Sequence, residues 1–259
     1  MPTIGIFAKP ARSQRKVFPR IDFMSLLYRS LKATWRTIVP HSMSSYFFGG
    51  GSAASRAILT LKSRMETHAA HDEIYDAAYY ENYTEEMERS AVATAETIIR
   101  SFHPRSIIDI GCGFGDALSQ FAQRGVDAKG ADLSAAAIER CRSKGLTVRR
   151  LDLEDRSDIP DWKADVVIST EVAEHIPAEF ADHFVHVLTA LSSRAVVITA
   201  APPGQGGTDH VNEQPYSYWI AKFERAGFPY SMALTNEMRN SWRDMGVEQR
   251  AENLMVFVR

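Results

Sequence analysis

Short apolar segments alternate with helical patterns over most of the chain, and this alternation is the feature that most limits its fold. Helices are predicted near 116–124, 134–144, 179–191 and 215–226. Strands are predicted near 106–110, 127–131, 147–151, 164–169, 195–199, 231–235 and 253–258. Strands separated by helices of this length predict a doubly wound, mostly parallel α/β sheet of seven strands, with helices on both faces. Ligands of such sheets bind at the edge formed by the carboxyl ends of the strands.

Charge divides the 259-residue chain into two parts. Residues 1–66 contain eleven basic and two acidic residues, a net charge of +9, whereas residues 67–259 carry a net charge of −11. Such asymmetry indicates two parts with different physical roles. We therefore expect a basic N-terminal extension over 1–66, partly helical or poorly ordered, followed by one domain over 67–259.

The basic extension allows several interpretations. Its apolar residues between 24 and 38 recur at helical spacing among arginines and lysines, which is typical of an amphipathic helix on an anionic membrane surface. The composition also suits an organelle transit peptide, an unstructured leader upstream of a start at Met65, or nucleic-acid binding without a sequence-reading motif. Nucleic acid is not the favoured partner. The prediction is peripheral membrane contact through residues 24–38.

Two global features limit the class of protein further. No uninterrupted apolar run approaches the roughly 20 residues that a membrane-spanning helix needs. The two cysteines, Cys112 and Cys141, form neither a disulfide framework nor a zinc cluster, so a reducing, cytoplasmic compartment is expected.

A glycine-rich loop follows the first predicted strand. The segment runs Asp109-Ile110-Gly111-Cys112-Gly113-Phe114-Gly115, and a helix begins directly behind it. A dinucleotide-binding loop would have a third glycine where this chain has Asp116. Carboxylates at 109 and 116 would repel a pyrophosphate, so the loop favours a cationic cofactor over a dinucleotide.

From about residue 75 onward, this loop and the later acids resemble the class I S-adenosylmethionine (SAM)-dependent methyltransferases, whose sheet is Rossmann-like. The resemblance implies that Asp109, with Gly111, Gly113 and Gly115, serves the methionine end of SAM. It also implies that Asp132, followed by Leu133, binds the ribose hydroxyls, and that Asp152, followed by Leu153, contacts adenine. The alternative role for each acid is a helix N-cap, which Asp fills well.

A second group of polar residues follows the fourth and fifth predicted strands. Glu171-Val172-Ala173-Glu174-His175 resembles the E-x-x-E-H segment of ubiquinone-pathway O-methyltransferases and of small-RNA ribose 2′-O-methyltransferases. The resemblance to the RNA enzymes implies a divalent metal held by Glu171, Glu174, His175 and His210. A cation would lower the pKa of an acceptor hydroxyl and orient its oxygen. The alternatives are that His175 acts as a metal-free general base, or that these residues only position the loop.

The acceptor is predicted from a further resemblance. Residues 210–215, with Tyr218 and Trp219, resemble bacterial methyltransferases of surface-glycan biosynthesis. The prediction is therefore O-methylation of a sugar, glycan or other small polar acceptor. Two alternatives stay open: a ribose 2′-O-methyltransferase that uses the basic extension to hold RNA, and a non-catalytic SAM-binding or membrane-associated scaffold.

Overall fold

The computed structural model describes residues 85–207 and 209–259. The predicted extension over 1–66 and its helix at 24–38 lie outside the described residues, so the domain division stays a prediction. Among the described residues, no helix combines the length and the apolar character needed to cross a bilayer.

Helices and strands alternate through most of the described chain, as the pattern predicts. The helices are α1 (Glu85–Phe102), α2 (Asp116–Gln123), α3 (Ala135–Ser143), α4 (Ala181–Leu191), α5 (Tyr216–Arg225), α6 (Met232–Asp244) and α7 (Glu248–Asn253). The strands are β1 (Ser106–Ile110), β2 (Asp127–Asp132), β3 (Thr147–Arg150), β4 (Ala164–Ser169), β5 (Ser192–Thr199) and β6 (Leu254–Val258). Two short 3₁₀ turns, Ala173–His175 and Ala178–Phe180, connect β4 to α4.

The strands form one sheet in the order β3-β2-β1-β4-β5-β6. All neighbouring pairs are parallel except β5 and β6, which are antiparallel. This topology confirms the mostly parallel, doubly wound sheet. It also brings the carboxyl ends of β1, β2, β4 and β5 to one edge, where the predicted site residues follow the strands.

Helices cover both faces of the sheet because its inner strands bury side chains on both sides. Successive residues of β5 alternate between the two cores: Val196 packs in the core that contains α4 and α5, and Val197 in the core that contains α1 and α6. Both side chains are fully buried. Strands buried on two faces read as continuous apolar runs, which is why the sequence pattern located them.

The strand predicted at 231–235 is wrong, because these residues begin helix α6. The Ser231 hydroxyl accepts a hydrogen bond from the Leu234 N–H and caps the helix. The region around this helix also covers the open edge of β6: the Ser231 N–H donates to the Val256 carbonyl, and the Val256 N–H donates to the Thr235 hydroxyl. Arg239 Nε donates to the Leu254 carbonyl in the same way. Within the described residues the sheet therefore has six strands, not seven.

Candidate active site

The glycine-rich loop turns sharply at the carboxyl end of β1. Gly111, Gly113 and Gly115 have φ values of 78°, 50° and 73°, in the left-handed region that other residues rarely adopt. The Gly111 N–H donates to the Ala131 carbonyl at 2.8 Å, which ties the loop to β2. A Cβ atom at Gly111 would lie 2.2 Å from Cγ2 of Val172. The loop therefore packs directly against the segment that follows β4.

Asp132, at the end of β2, binds this loop through one carboxylate oxygen and the start of α3 through the other. Oδ2 accepts the N–H of Gly113 and Oδ1 accepts the N–H of Ser134, each at 2.8 Å. The Ser134 hydroxyl in turn caps α3. Since a carboxylate offers about four lone-pair sites, such a group can orient backbone donors and still accept hydrogen bonds from a ligand.

Asp109 is a buried carboxyl group beside the loop. Its side chain is 4% exposed, and its Oδ1 has no hydrogen-bond partner among the described residues. Burial, and then the charge of Asp132, raise the pKa of Asp109 to about 8. A buried carboxyl with an unsatisfied oxygen is suited to a cationic ligand, which would restore the ionised form.

The third predicted acid, Asp152, follows β3 and is also buried. Its Oδ1 accepts the N–H of Glu154 at 2.9 Å. Leu153, the next residue, is half-buried and packs against the α4–α5 core. Leu133, which follows Asp132, is also half-buried, and its carbonyl accepts a hydrogen bond from Arg150 Nε. The structure thus places the three predicted acids at the carboxyl ends of three neighbouring strands: Asp109 within the end of β1, Asp132 as the last residue of β2 and Asp152 two residues after β3.

Glu171 begins the segment after β4 in a strained conformation. Its φ of 57° is left-handed, which is uncommon for a residue with a side chain. The Thr199 hydroxyl donates to Glu171 Oε1 at 2.8 Å, and the Glu171 N–H donates back to that hydroxyl at 2.7 Å. Glu171 is thereby bound to the end of β5, and it is not part of the potential ligand group formed by the other predicted residues.

Glu174, His175 and His210 do come together. One donor atom from each lies within 4.8 Å of the others, and the two imidazole rings are 5.1 Å apart and nearly perpendicular. His175 Nδ1 lies 3.1 Å from the Asp209 carbonyl, and His210 Nδ1 lies 2.8 Å from Glu213 Oε1. Because a carbonyl and a carboxylate only accept, both imidazoles carry a proton on Nδ1, which in the neutral ring leaves the lone pair on Nε2.

The protonation of this cluster follows from its burial. Glu174 is 1% exposed, and neither carboxylate oxygen has a hydrogen-bond partner among the described residues. Burial, then the charge of Glu171, raise the pKa of Glu174 to about 7, against a smaller opposite effect of nearby backbone N–H groups and His210. Burial also lowers the pKa of His175, so its imidazole is neutral at pH 7.

The chain matches known proteins in sequence and in fold. Residues 108–198, from β1 to the end of β5, match the family model described as "Methyltransferase domain". The magnesium protoporphyrin IX methyltransferase of Synechocystis, solved with S-adenosylhomocysteine, superposes with a TM-score of 0.54 and 16% identity, over 74% of this chain and 99% of that one. Residues 108–198 therefore match a methyltransferase domain in sequence, and the described chain shares the fold of solved SAM-dependent methyltransferases. At this identity the solved structure shows a shared fold, and no more.

Two further proteins resemble this chain. A sugar N-methyltransferase from Streptoalloteichus superposes with a TM-score of 0.54 and 17% identity, covering 71% of this chain and 92% of that one. The ubiquinone biosynthesis O-methyltransferase of Alkalilimnicola ehrlichii is 28% identical over 145 residues, 54% of this chain and 53% of that protein. In its aligned region the chain spans about half the length of the curated relatives it matches.

The candidate site has two parts. We call Asp109, Gly111, Gly113, Gly115 and Asp132 the cofactor end. We call Glu174, His175 and His210 the acceptor end. The contact of Gly111 with Val172 joins the two.

Three further residues hold the acceptor end, and sequence reasoning missed their roles. Thr199 binds Glu171, Asp209 binds His175 through its carbonyl and is itself left-handed at φ 56°, and Glu213 binds His210. The position of Thr199 at the carboxyl end of a parallel strand was a usable signal. Glu213 lies three residues after His210 in a polar loop, where spacing alone does not identify a partner.

Proposed function

We propose that this methyltransferase transfers a methyl group from SAM to a hydroxyl of a small polar acceptor such as a sugar. The observation that carries the proposal is the position of the acceptor end. The segment containing Glu174 and His175 packs on the glycine loop through Val172, so acid–base groups stand beside the cofactor end.

The residues of the cofactor end fit SAM. SAM, when bound, supplies an electrophilic methyl group on a sulfonium, and it carries an ammonium group that suits the unsatisfied buried carboxyl of Asp109. Asp132 would accept the ribose hydroxyls, and Asp152 with Leu133 and Leu153 would contact adenine. The fit lies in the charges: this end has buried carboxylates and lacks, among the described residues, a buried cation to balance a pyrophosphate.

At the acceptor end, His175 would take the proton. Its imidazole is neutral at pH 7, and the Asp209 carbonyl holds the proton on Nδ1, so Nε2 is the basic atom. As the acceptor oxygen bonds to the methyl carbon, the hydroxyl proton passes to this nitrogen. SAM, when bound, would supply the methyl group, the electron pair of the carbon–sulfur bond would stay with S-adenosylhomocysteine, and the acceptor hydroxyl would become an ether.

As the alternative to His175 acting as the base, the acceptor end also fits a divalent cation. One carboxylate and two imidazoles within 4.8 Å of one another form a donor set that suits Mn²⁺, Fe²⁺ or Zn²⁺ better than Mg²⁺. The buried carboxylate of Glu174, without a hydrogen-bond partner among the described residues, supports this proposal. A cation, when bound, would lower the pKa of the acceptor hydroxyl. Glu174, His175 and His210 would hold it, whereas Glu171 would position the segment through Thr199.

The acceptor class is supported by the similar proteins. The relative from Alkalilimnicola is named as an O-methyltransferase, and the structure from Streptoalloteichus is a sugar methyltransferase, although an N-directed one. The same Glu–His cluster is compatible with the ribose of RNA, which we retain as the second acceptor to test.

The test uses the purified full chain with radiolabelled SAM. Three acceptor sets are offered in parallel: mono- and oligosaccharides, catechol-type quinone precursors, and short RNAs. We expect label in the saccharide set. If RNA is labelled instead, and the labelling falls steeply as salt is added, the acceptor is RNA and the saccharide proposal is wrong. SAM binding with no label in any set would favour a non-catalytic scaffold.

A chelator separates the two roles of the acceptor end. If a cation is held there, EDTA should abolish methyl transfer and leave SAM affinity within about twofold, because the cation would touch the acceptor and not the nucleotide. Full activity in EDTA together with an inactive His175→Ala variant would contradict the metal and leave His175 as a metal-free base.

A further inference from the structure

The carboxylate of Glu213 gathers three donors from the loop that follows β5. Oε2 accepts the Gly204 N–H at 2.7 Å, and Oε1 accepts the Gly206 N–H at 2.6 Å and His210 Nδ1 at 2.8 Å. The side chains of Glu213 and His210 are 18% and 13% exposed, so the bond between them is largely shielded from solvent, whereas Gly204 and Gly206 are exposed. The three hydrogen bonds also hold the pKa of the Glu213 carboxyl below its usual range.

The two glycine amides reach one carboxylate because of the backbone path. Gly204 and Gly206 have φ values of 87° and 71°, which direct their N–H groups inward around Glu213. The next residue, Gly207, lies against the imidazole of His210: a Cβ there would be 2.3 Å from Nε2. Glu213 thus fixes the loop and the imidazole together, and Gly207 leaves room for the Nε2 side of the ring.

The opposite side of the loop is anchored to the acceptor end itself. The Glu174 carbonyl accepts the N–H groups of both Val211 and Asn212 at 3.0 Å. Residues 211 and 212 are therefore bound to the segment after β4, and the turn at 204–206 is bound to the carboxylate of Glu213. The position of His210 depends on both connections.

We propose that Glu213 is the positioning residue of the acceptor end. Its carboxylate holds His210 in the tautomer with the proton on Nδ1 and fixes the loop 204–207 around it, so that Nε2 carries the lone pair for a proton or a cation. The use of that lone pair in methyl transfer rests on the proposed function. The tautomer of His210 and the backbone path of residues 204–207 do not depend on the proposed function.

The first test reads the tautomer directly. In the ¹⁵N-labelled full chain at pH 8, the ring nitrogen shifts of His210, assigned by their loss in His210→Ala, should show Nδ1 protonated and Nε2 unprotonated. Glu213→Gln should give a mixture of tautomers, because the amide side chain both donates and accepts. The matched control Glu224→Gln removes an exposed carboxylate from α5 and should leave the wild-type shifts. A wild-type ring protonated on Nε2 alone would overturn the proposal.

The second test reads the loop. Amide hydrogen exchange at Gly204 and Gly206 should be about tenfold faster in Glu213→Gln than in wild type or Glu224→Gln, since their shared acceptor is weakened. If Glu213→Gln does not fold, amide exchange is measured in Glu213→Asp instead. A carboxylate one methylene shorter cannot reach all three donors, so at least one of the two glycine amides should exchange faster. Wild-type protection of both amides would overturn the proposal.

Activity then links the position of His210 to the reaction. With an acceptor identified, Glu213→Gln should lower kcat about 10- to 100-fold, with the Kd of SAM within twofold of wild type. Unchanged kcat in a variant with mixed tautomers would overturn the positioning role. If wild type methylates no acceptor, the ring shifts and amide exchange still decide the role of Glu213, so failure of the proposed function is recognised separately.

Discussion

The cofactor end and the acceptor end are held in different ways. At the cofactor end, strand ends and glycine turns place the loop, and backbone N–H groups donate to the carboxylate of Asp132 and the carbonyl of Ala131. At the acceptor end, the segment after β4 meets the loop after β5. Two backbone hydrogen bonds to the Glu174 carbonyl join them, and the side chains of His175, His210 and Glu213 make the other contacts.

The backbone shows the same contrast. The left-handed positions of the cofactor end are glycines, which adopt them without strain. In the two segments that carry the acceptor end, by contrast, the left-handed residues include Glu171 and Asp209, with φ values of 57° and 56°. Left-handed residues with side chains cost about 1–3 kcal/mol each and persist where surrounding contacts require them. The cofactor end is therefore built from strand ends and glycine turns, whereas the acceptor end is built from contacts between two loops. This division explains how one fold serves many acceptors.

The largest effect expected from this contrast is loss of activity without loss of SAM binding. His175→Ala and His210→Ala should each lower kcat about 10²- to 10⁴-fold. The double variant should be little worse than either single one, because the two residues act as a unit. His186→Ala, an exposed histidine on α4, is the control. Wild-type turnover in either single variant, measured with an acceptor from the labelled screen, would remove that residue from the reaction.

A pair of glycine substitutions separates the two ends with one added methyl group each. Gly111→Ala forces a left-handed alanine against Val172 and should weaken SAM binding about tenfold or more. Gly207→Ala adds a Cβ against the His210 ring and should lower kcat about tenfold while SAM affinity stays within twofold.

Gly125→Ala controls for backbone strain alone, since its φ is 80° and no atom lies within 4 Å of the added Cβ. Calorimetry with SAM and turnover assays measure all three variants. Equal losses of SAM affinity in Gly111→Ala and Gly207→Ala would show that the two ends are not separable.

The smallest expected effect is a pH dependence that belongs to the cofactor end. Folding raises the pKa of Asp109 from 3.8 to about 8, so the folded chain holds a proton that the unfolded chain has lost. The contribution of this group to stability is present at low pH and declines as pH rises from about 4 to 8. Thermal unfolding without SAM should show this decline between pH 6 and 8, and Asp109→Asn should flatten it.

SAM binding should depend on pH in the opposite direction. If the cationic ligand pairs with ionised Asp109, binding at pH 6.5 releases about one proton, and affinity rises between pH 6 and 7.5. Calorimetry in buffers of different ionisation enthalpy measures the number of protons released on SAM binding. No proton release in wild type, or the same release in Asp109→Asn, would exclude Asp109 as the partner of the cation.

The cofactor end could be predicted from the sequence because its signals are local. Asp109, the glycine loop and Asp132 follow apolar runs directly, and parallel topology brings such strand ends to one edge. The prediction of a strand at 231–235 was wrong, because a short apolar stretch does not by itself distinguish a strand from a helix. Its structure is decided by long-range contacts: Thr235 and Arg239 cover the open edge of β6.

The acceptor end could be predicted only in part. A pattern of Glu and His residues indicated three of its groups, but nothing local distinguishes Glu174, which lies in the cluster, from Glu171, which binds Thr199. The role of Glu213 depends on a loop that turns back on itself, because its donors at His210, Gly206 and Gly204 lie three, seven and nine positions before it in the chain. Such contacts arise from tertiary structure, not from spacing along the chain.

Calorimetric titration of SAM into four proteins tests the central claim most directly: wild type, Asp132→Ala, His175→Ala and Asp127→Ala. Asp132→Ala should weaken binding by about 1.5–3 kcal/mol, since it removes a charged acceptor of hydroxyl hydrogen bonds. His175→Ala, at the acceptor end, and Asp127→Ala, an exposed acid at the far end of β2, should stay within twofold of wild type. Unchanged affinity in Asp132→Ala, or a loss in His175→Ala as large as that in Asp132→Ala, would contradict a cofactor end that binds SAM independently of the acceptor end.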